Sequence, residues 1–247
     1  MLRSAKPEGR HLVQAADEVA FSPAELVGLD EPVRRYFTAA IAEGTPLART
    51  ARFRMRGRIR LGGWVPFHAH QVLTPHQGMV WSGRAGGVIT GFDRYLDGRG
   101  LADWKILGRV AVMHAEGRDV DRSAAGRCGA EAIWVPTALL PRFGVAWSTI
   151  DDHLVTARYD LDGVPIELHL ELDDLGRVRA CVFDRWGDPD ETGTARWVPF
   201  GGDITGSSEF GGVSIPGEGR FGWFHGTDRW GEGEFFRVHI THHGLVS

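Results

Sequence analysis

The sequence contains only two cysteines among its 247 residues, Cys128 and Cys181. Two cysteines are too few for a disulfide framework, and thiols among apolar neighbours are typical of a reducing compartment. No stretch approaches the roughly 18 uncharged apolar residues that a membrane-spanning helix requires. The opening segment MLRSAKPEGRHLVQAADEVAF also lacks the continuous hydrophobic region of an export signal. These absences predict a cytoplasmic protein that does not insert stably into a membrane.

The common motifs of nucleophile, nucleotide and cofactor sites are missing as well. The sequence has no GxSxG, no phosphate-binding glycine loop of Walker type, no CxxC and no GxGxxG after a predicted strand. Its net charge of -4 and its pI of about 6.3 provide no overall attraction to nucleic acid. We therefore expect no cofactor and no nucleic-acid partner, whereas the oligomeric state stays open.

Glycine and aromatic residues, by contrast, are concentrated in the last quarter of the chain. Residues 197–237 contain eleven glycines, six phenylalanines and three tryptophans. Glycine lets the backbone bend or approach another chain closely, and large rings need neighbours to pack against. The segment therefore predicts several short, curved strands rather than a flexible linker.

A side-chain period of two begins at Thr50 and indicates β-strands. In ARFRMRGRIRL apolar residues alternate with five arginines, and PIELHLEL alternates leucine and isoleucine with polar residues. A three-stranded meander is predicted over residues 153–186, with turns at Asp162 and Asp173. The chain offers roughly ten or more strands without βαβ units, which predicts an antiparallel sheet.

Helical patterns occur near the N-terminus and in the middle of the chain. Short helices are predicted after Ser22 and after Asp30. A longer helix is predicted over residues 119–141, interrupted near Pro136 and ended by Pro141. This segment is rich in alanine and does not alternate, so it is unsuited to another strand.

Together these patterns predict a fold that is mainly β, with some helix (α+β). A sheet of so many strands must curl, and a curled sheet either encloses a cavity or needs an element to fill it. We therefore expect a large curved antiparallel sheet forming a half-barrel around the central helix, with N-terminal helices. Residues 1–48 would be a helical segment, and residues 49–247 a single half-barrel domain.

Several motifs resemble those of a bacterial family of uncharacterised proteins, for which no general activity is established. They run in the same order between about Pro32 and Ile240: EAIWVPTALLP, GVAW, FDRW, VPFGG, GWFHGTDRW and GEFFR. The pattern is also similar to the curved half-barrel of bacterial lipoprotein carriers and of a cofactor-free enzyme of violacein biosynthesis. The resemblance implies a hollow that holds an acyl chain, as in the carriers, or a small aromatic intermediate, as in the enzyme. The missing export signal argues against a role in lipoprotein trafficking.

Four polar residues in aromatic surroundings are the candidate catalytic groups. Both faces of RVRACVFDRWG carry apolar residues, so either Asp184 or Arg185 is expected to face a buried space. Arg185 could bind a carboxylate or enolate oxygen of a ligand, or form a salt bridge that pins the curved sheet. Glu131 could be a general base or a surface residue, and His225 a proton shuttle or a structural histidine.

Five tryptophans are candidates for the wall of a ligand-binding cavity. Tryptophans are more often core residues, but they line a cavity where a curved sheet encloses one. They are Trp134, Trp147, Trp186, Trp223 and Trp230.

Two further patterns are interpreted as structural. His68 and His70 share one strand face, but no third ligand is fixed by the sequence, so no metal site is predicted. The arginines at alternate positions of residues 52–60 lack interleaved aromatic residues for stacking on nucleic acid. They are expected to form a solvated sheet face opposite the acidic row of Glu167 and Glu171.

Two functional hypotheses follow. The first is that the hollow of the sheet binds a small hydrophobic or aromatic molecule. The second is a cofactor-independent enzyme, such as an isomerase, lyase, cyclase or hydrolase, which would use Glu131, Asp184, Arg185 or His225. The catalytic hypothesis requires two or more of these side chains to meet at one cavity. Whether any reaction is catalysed stays open.

Overall fold

Thirteen antiparallel strands form one sheet in the computed structural model of the protein, which describes residue 12 and residues 19–246. In chain order they are β1 (Ala51–Leu61), β2 (Gly63–Thr74), β3 (Gly78–Ala85), β4 (Ile89–Leu96), β5 (Arg99–Ile106), β6 (Val110–Glu116), β7 (Ala146–Thr149), β8 (Leu154–Leu161), β9 (Val164–Leu172), β10 (Val178–Gly187), β11 (Arg196–Phe210), β12 (Val213–Trp223) and β13 (Glu234–Leu245). A one-turn helix, α3 (Trp230–Gly233), precedes β13.

The chain winds outward from the middle of the sheet and returns to it. The strand order is β6-β5-β4-β3-β2-β1-β13-β12-β11-β10-β9-β8-β7, so the first and last strands are neighbours. Within the described residues the edge strands β6 and β7 do not pair with each other, and the sheet is not closed into a barrel. The predicted large antiparallel sheet is confirmed.

The central helix α2 (Arg118–Ala130) connects the two edges of the sheet and lies in its hollow. It follows β6, precedes β7, and contacts β4, β5, β9 and β10. Three short 3-10 helices continue the segment: Glu131–Trp134, Pro136–Leu139 and Pro141–Phe143. Each proline begins a new turn, because proline suits the first position of a helix but not its interior. The predicted half-barrel around a central helix is confirmed.

Small residues let α2 lie close to the sheet. Its buried residues are Ala124, Ala125, Gly126, Cys128, Gly129 and Ala130. A Cβ atom at Gly129 would lie 2.6 Å from the side chain of Ile166 on β9. A Cβ atom at Gly100 on β5 would lie 2.5 Å from the carbonyl oxygen of Val120. The helix therefore packs nearer to β5 and β9 than larger side chains would allow.

The N-terminal helices pack on the same hydrophobic core. A 3-10 helix, Pro23–Leu26, precedes α1 (Glu31–Ala40), whose buried side chains include Tyr36 and Phe37. Residues 1–11 and 13–18 of the predicted N-terminal segment lie outside the described residues. The division of the chain at residue 48 stays a prediction.

Helix α1 ends earlier than the sequence indicates. The glycine at position 44 predicts the helix end, but Ile41 already has an extended conformation. Ile41 forms an isolated bridge with Val213, the first residue of β12. The tertiary contact with the sheet therefore ends the helix before the glycine does.

The arginines at positions 52, 54, 56 and 58 of β1 lie on the outer face of the sheet, and the prediction of their neighbours was wrong. Strand β1 pairs with β2 and β13, so Arg54 lies between His70 and His242 rather than opposite the acidic residues of β9. Arg56 lies between His68 and His239. The pairing of the first strand with the last joins segments far apart in sequence, which alternation alone does not reveal.

The described residues include neither a metal-binding cluster nor a membrane-spanning helix. They contain no group of three or more histidine, cysteine, aspartate or glutamate side chains placed to hold a metal ion. No helix among them is long and apolar enough to cross a bilayer. Both cysteines are free and buried, and burial raises the pKa of the Cys181 thiol to about 12.

A half-buried histidine on β13 makes stability depend on pH. His243 stacks on Phe53, with ring centroids 5.8 Å apart, and its Nε2 donates to the carbonyl oxygen of Trp134 at 2.7 Å. Its Nδ1 is buried and has no partner among the described residues. Burial lowers the pKa of His243 below its usual value. Protonation therefore favours the unfolded chain, where the pKa is ordinary, and stability falls as the pH drops below about 6.5.

We expect His243→Gln to weaken this pH dependence. The free energy of urea unfolding, measured between pH 7.5 and pH 5.5, should fall less steeply in the variant than in the wild type. The neighbouring His242 is exposed, so His242→Gln is the matched control and should leave the slope unchanged. Burial also lowers the pKa values of His70 and His76, so part of the slope should remain. Equal slopes in the His243→Gln variant and the wild type would contradict the assignment.

Candidate functional site

The concave face of the sheet and the segment that starts with α2 enclose a cavity of about 570 Å³. Its wall comes from both halves of the sheet, since β1 to β6 contribute from one side and β10 to β13 from the other. Aromatic side chains form much of this wall, among them Phe67, Trp81, Trp134, Phe221, Trp223 and Phe236. A void of this size lies within the usual range of small-molecule sites.

The aromatic residues of the wall pack against one another across neighbouring strands. The rings of Phe67 and Phe236 stack with centroids 4.8 Å apart, and those of Trp81 and Trp104 lie 5.3 Å apart. Phe200 meets Trp223 edge to face at 5.1 Å. Such ring pairs are stabilised beyond their buried area and hold one another in place. The cavity is therefore a hollow with fixed aromatic walls.

One ion-pair network crosses the apolar wall beside α2. Arg127 donates to Asp93 on β4 and to Glu131, with both N–O distances 2.7 Å. Gln71 donates to the second oxygen of Glu131. Trp104 Nε1 donates to the second oxygen of Asp93 at 2.8 Å. Each oxygen of the two carboxylates thus accepts one hydrogen bond from the protein, and Arg127 is held between them.

Arg185 on β10 also lines the cavity, in a different environment. Its Nε donates to Ser123 Oγ on α2 at 3.2 Å, and no carboxylate of the described residues forms an ion pair with it. Its guanidinium lies 4.8 Å from the ring centroid of Phe200 and 5.1 Å from that of Trp223. Burial, together with the positive charge of Arg127, lowers the pKa of Arg185 to about 10. The side chain stays cationic at neutral pH.

Comparison with known proteins assigns the chain to a family. The model of DUF6544, a family of unknown function, matches residues 19–235. The chain belongs to the DUF6544 family. The predicted membership of an uncharacterised family is therefore confirmed. Among solved structures, that of a LolA superfamily protein from Nitrosomonas europaea matches with a TM-score of 0.49 and 8% sequence identity, covering 87% of this chain and 92% of that chain. No curated protein matches the chain significantly.

Four of the predicted site residues of this DUF6544 chain line the cavity together: Glu131, Arg185, Trp134 and Trp223. The alternation of β10 explains why Arg185 does so and Asp184 does not. Successive strand residues point to opposite faces, and Asp184 is exposed on the outer one. Arg185 is therefore the member of the pair that faces the hollow.

His225 lies outside the cavity, in the connection between β12 and α3. Its Nε2 donates a hydrogen bond to Asp203 Oδ1 at 2.9 Å, and its ring packs edge to face on Trp230 at 4.8 Å. Partial burial acts to raise the pKa of Asp203, but His225 and Arg220 outweigh it and lower that pKa. His225 and Trp230 thus form a structural contact away from the cavity.

The remaining two tryptophans also lie away from the cavity. Trp147 packs on Tyr36 and Phe37 of α1, and its Nε1 donates to the Leu139 carbonyl oxygen at 2.9 Å. Trp186 donates from Nε1 to Asp119 at the start of α2. Both residues connect helices to the sheet rather than forming the wall.

Asp93, Arg127 and Gln71 belong to the site but were not among the predicted residues. Arg127 precedes Glu131 by four positions, which places the two side chains on one helix face. That spacing was a usable signal in the sequence. Asp93 and Gln71 join the network only through the folding of β2 and β4 against α2, for which the sequence contains no local signal.

The chemistry open to this arrangement is limited by its hydrogen bonds. A general base needs a carboxylate oxygen free to accept a proton from a ligand. Both oxygens of Glu131 already accept from Arg127 and Gln71. Arg185, in contrast, faces the hollow with donors that no described residue uses. The geometry suits recognition of a ligand acceptor better than proton transfer.

Proposed function

We propose that this protein binds a small hydrophobic or aromatic molecule in the hollow of its curved sheet. The observation that supports the proposal best is the cavity of about 570 Å³ with its aromatic wall. Transfer of apolar surface from water into such a space is favourable by roughly 25 cal/mol for each Å² that is buried. A purely structural domain would fill its concave face with side chains, and this face is not filled.

A variant that fills the cavity tests the proposal. Ala85 on β3 is 3% exposed and its side chain lines the cavity. We expect Ala85→Trp to weaken the binding of N-phenylnaphthylamine, an apolar aromatic probe, at least about 10-fold, because the indole would occupy space that the probe needs. The measurement is a titration of the full chain, followed by the increase in probe fluorescence.

The control is Ala111→Trp on the edge strand β6, where the side chain is exposed and does not line the cavity. It adds the same indole and should leave probe binding unchanged. Near-ultraviolet circular dichroism and thermal unfolding establish that both variants are folded. If folded Ala85→Trp binds the probe as tightly as the wild type, the cavity is not the binding site.

The alternative of a cofactor-independent enzyme has weaker support. Of its four candidate residues, Asp184 and His225 lie away from the cavity, and Glu131 is engaged with Arg127 and Gln71. Arg185 could stabilise an oxyanion, but Asp93 and Glu131, the carboxylates that line the same cavity, are both paired with Arg127. Native mass spectrometry of protein purified from its own host distinguishes the two functions. An unmodified small molecule retained in stoichiometric amount supports binding.

A further inference from the structure

Two arginines line the cavity beside α2, and their surroundings differ in charge compensation. Arg127 contacts Asp93 and Glu131 directly, so it is neutralised by two carboxylates within the wall. Arg185 has one hydrogen bond, from Nε to the neutral hydroxyl of Ser123. No carboxylate in the described part of the chain pairs with it. Its positive charge is therefore the less compensated of the two.

The orientation of Arg185 leaves its most useful donors available. A guanidinium has five N–H donors, and only the one on Nε has a protein acceptor among residues 19–246. The terminal nitrogens Nη1 and Nη2 can donate two parallel hydrogen bonds to one planar anion. Phe200 and Trp223 support the flat face of the group, at 4.8 and 5.1 Å. The side chain is thus held in place while its outer donors remain unused.

We propose that Arg185 binds the carboxylate of the hydrophobic or aromatic ligand, so that the protein selects amphipathic monocarboxylates. This assignment rests on the proposed function, since it names the polar end of a ligand whose apolar part lies against the aromatic wall. The ligand carboxylate would accept from Nη1 and Nη2. Its apolar part would extend towards Trp81 and Phe236, which line the same cavity.

The charges that face the cavity favour a ligand with one negative charge over a ligand with two. Asp93, Glu131, Arg127 and Arg185 together have a formal charge of zero, from two anions and two cations. The exposed Arg60 and Arg84 also line the cavity, and solvent screens them. A monocarboxylate pairs with Arg185 alone, whereas a phosphate dianion would place a second, unpaired charge near Asp93 and Glu131. An unpaired charge in an apolar space is strongly unfavourable.

The lowered pKa of Arg185 is consistent with this assignment. Burial and the charge of Arg127 make the cationic form of Arg185 less favourable than it is in water, and Glu131 and Asp93 offset only part of this effect. A bound carboxylate would reverse part of that effect, because an opposite charge nearby favours the charged form. Arg185 is thus electrostatically suited to gain an anionic partner.

The test compares ligands that share an apolar chain and differ in the head group. Dodecanoate, dodecanol and dodecyl phosphate each compete with N-phenylnaphthylamine for the full-length protein, and the displacement gives their relative affinities. We expect Arg185→Gln to weaken dodecanoate about 10- to 100-fold, as loss of a charged hydrogen-bond pair does. The affinity for dodecanol should change less than about 3-fold, since dodecanol makes no ion pair. The matched control Arg52→Gln removes an exposed arginine from the outer face of the sheet. It should change neither the affinity for dodecanoate nor that for dodecanol.

A second variant separates charge from geometry and guards against misfolding. Arg185→Lys retains the positive charge but not the planar pair of donors, so it should recover part of the affinity for dodecanoate. Thermal unfolding of each variant checks that the fold is intact. If Arg185→Gln does not fold, the smaller loss expected for Arg185→Lys is the decisive measurement.

Each outcome decides the matter. If the aromatic probe does not bind the wild type at all, the proposed function fails and the assignment of Arg185 fails with it. If the probe binds but Arg185→Gln weakens the binding of dodecanoate and of dodecanol equally, the proposed function stands and the carboxylate assignment is overturned. If Arg185→Gln loses more affinity for dodecyl phosphate than for dodecanoate, the carboxylate assignment is also overturned, in favour of a phosphate ligand.

Discussion

Replacing Arg127 with methionine should lower the free energy of unfolding by about 3 kcal/mol, because two carboxylates lose their cation at once. Methionine retains much of the apolar stem and removes the charge. Asp93 and Glu131 would then remain at the cavity wall with only Trp104 and Gln71 as donors. Breaking a buried ion pair costs about 3–5 kcal/mol, and the lower end applies here because water can enter the cavity.

The electrostatics of Arg127 support this magnitude. Burial acts to lower the pKa of Arg127, but Glu131 and Asp93 outweigh burial and raise it above the usual value. The cation is thus stabilised by the fold, and the carboxylates are stabilised by the cation. Urea unfolding, followed by tryptophan fluorescence and by circular dichroism, measures the loss.

The control for this prediction is an arginine with an exposed partner. Arg158 pairs with Glu167 at 2.8 Å, but their side chains are 45% and 49% exposed. Arg158→Met should therefore cost less than about 1 kcal/mol. Adding Asp93→Asn and Glu131→Gln to Arg127→Met should restore part of the lost stability, since the unpaired charges are then removed. Equal losses for Arg127→Met and Arg158→Met would mean that the network is not buried in solution.

The architecture was predictable because its signals are local. Alternation in ARFRMRGRIRL and PIELHLEL specifies which side chains of β1 and β9 face inward, and turn residues separate the strands of the meander. The alanine-rich segment 119–141 lacks that alternation and forms α2 and the 3-10 helices after it. Many antiparallel strands with one central helix then leave few arrangements other than a curved sheet around that helix.

The site was only partly predictable, because a cavity wall is assembled from distant segments. Apolar residues on both faces of β10 indicated that Asp184 or Arg185 faces the interior. Phe183 lines the cavity, and Arg185 lies two positions further along the strand, so it faces the same way. The partners of Arg127 come from β2 and β4, and no spacing in the sequence joins them to α2. His225 and Trp230 share aromatic surroundings with the wall residues, but they lie beyond the end of β12, outside the hollow.

Glycines explain how the sheet brings aromatic rings into the hollow, and Gly57 on β1 is the clearest example. It lies between Phe67 on β2 and Val238 on β13 in the pairing of the sheet. A Cβ atom at this position would lie 1.8 Å from the carbonyl oxygen of Arg237 and 3.0 Å from the ring of Phe67. No side chain fits there. The missing side chain therefore lets Phe67 lie over β1 and stack on Phe236.

Gly57→Ala should accordingly lower the free energy of unfolding by about 3 kcal/mol, because one methyl group collides with backbone that cannot rotate away. Strand β13 would have to move from β1, and the Phe67–Phe236 stack in the cavity wall would move with it. Gly244→Ala is the matched control, since a Cβ at Gly244 meets nothing within 4 Å. That variant should stay within about 0.5 kcal/mol of the wild type in urea unfolding. Because Gly57 supports the wall, Gly57→Ala should also weaken N-phenylnaphthylamine binding, whereas unchanged stability and binding would show that β1 and β13 lie further apart than described.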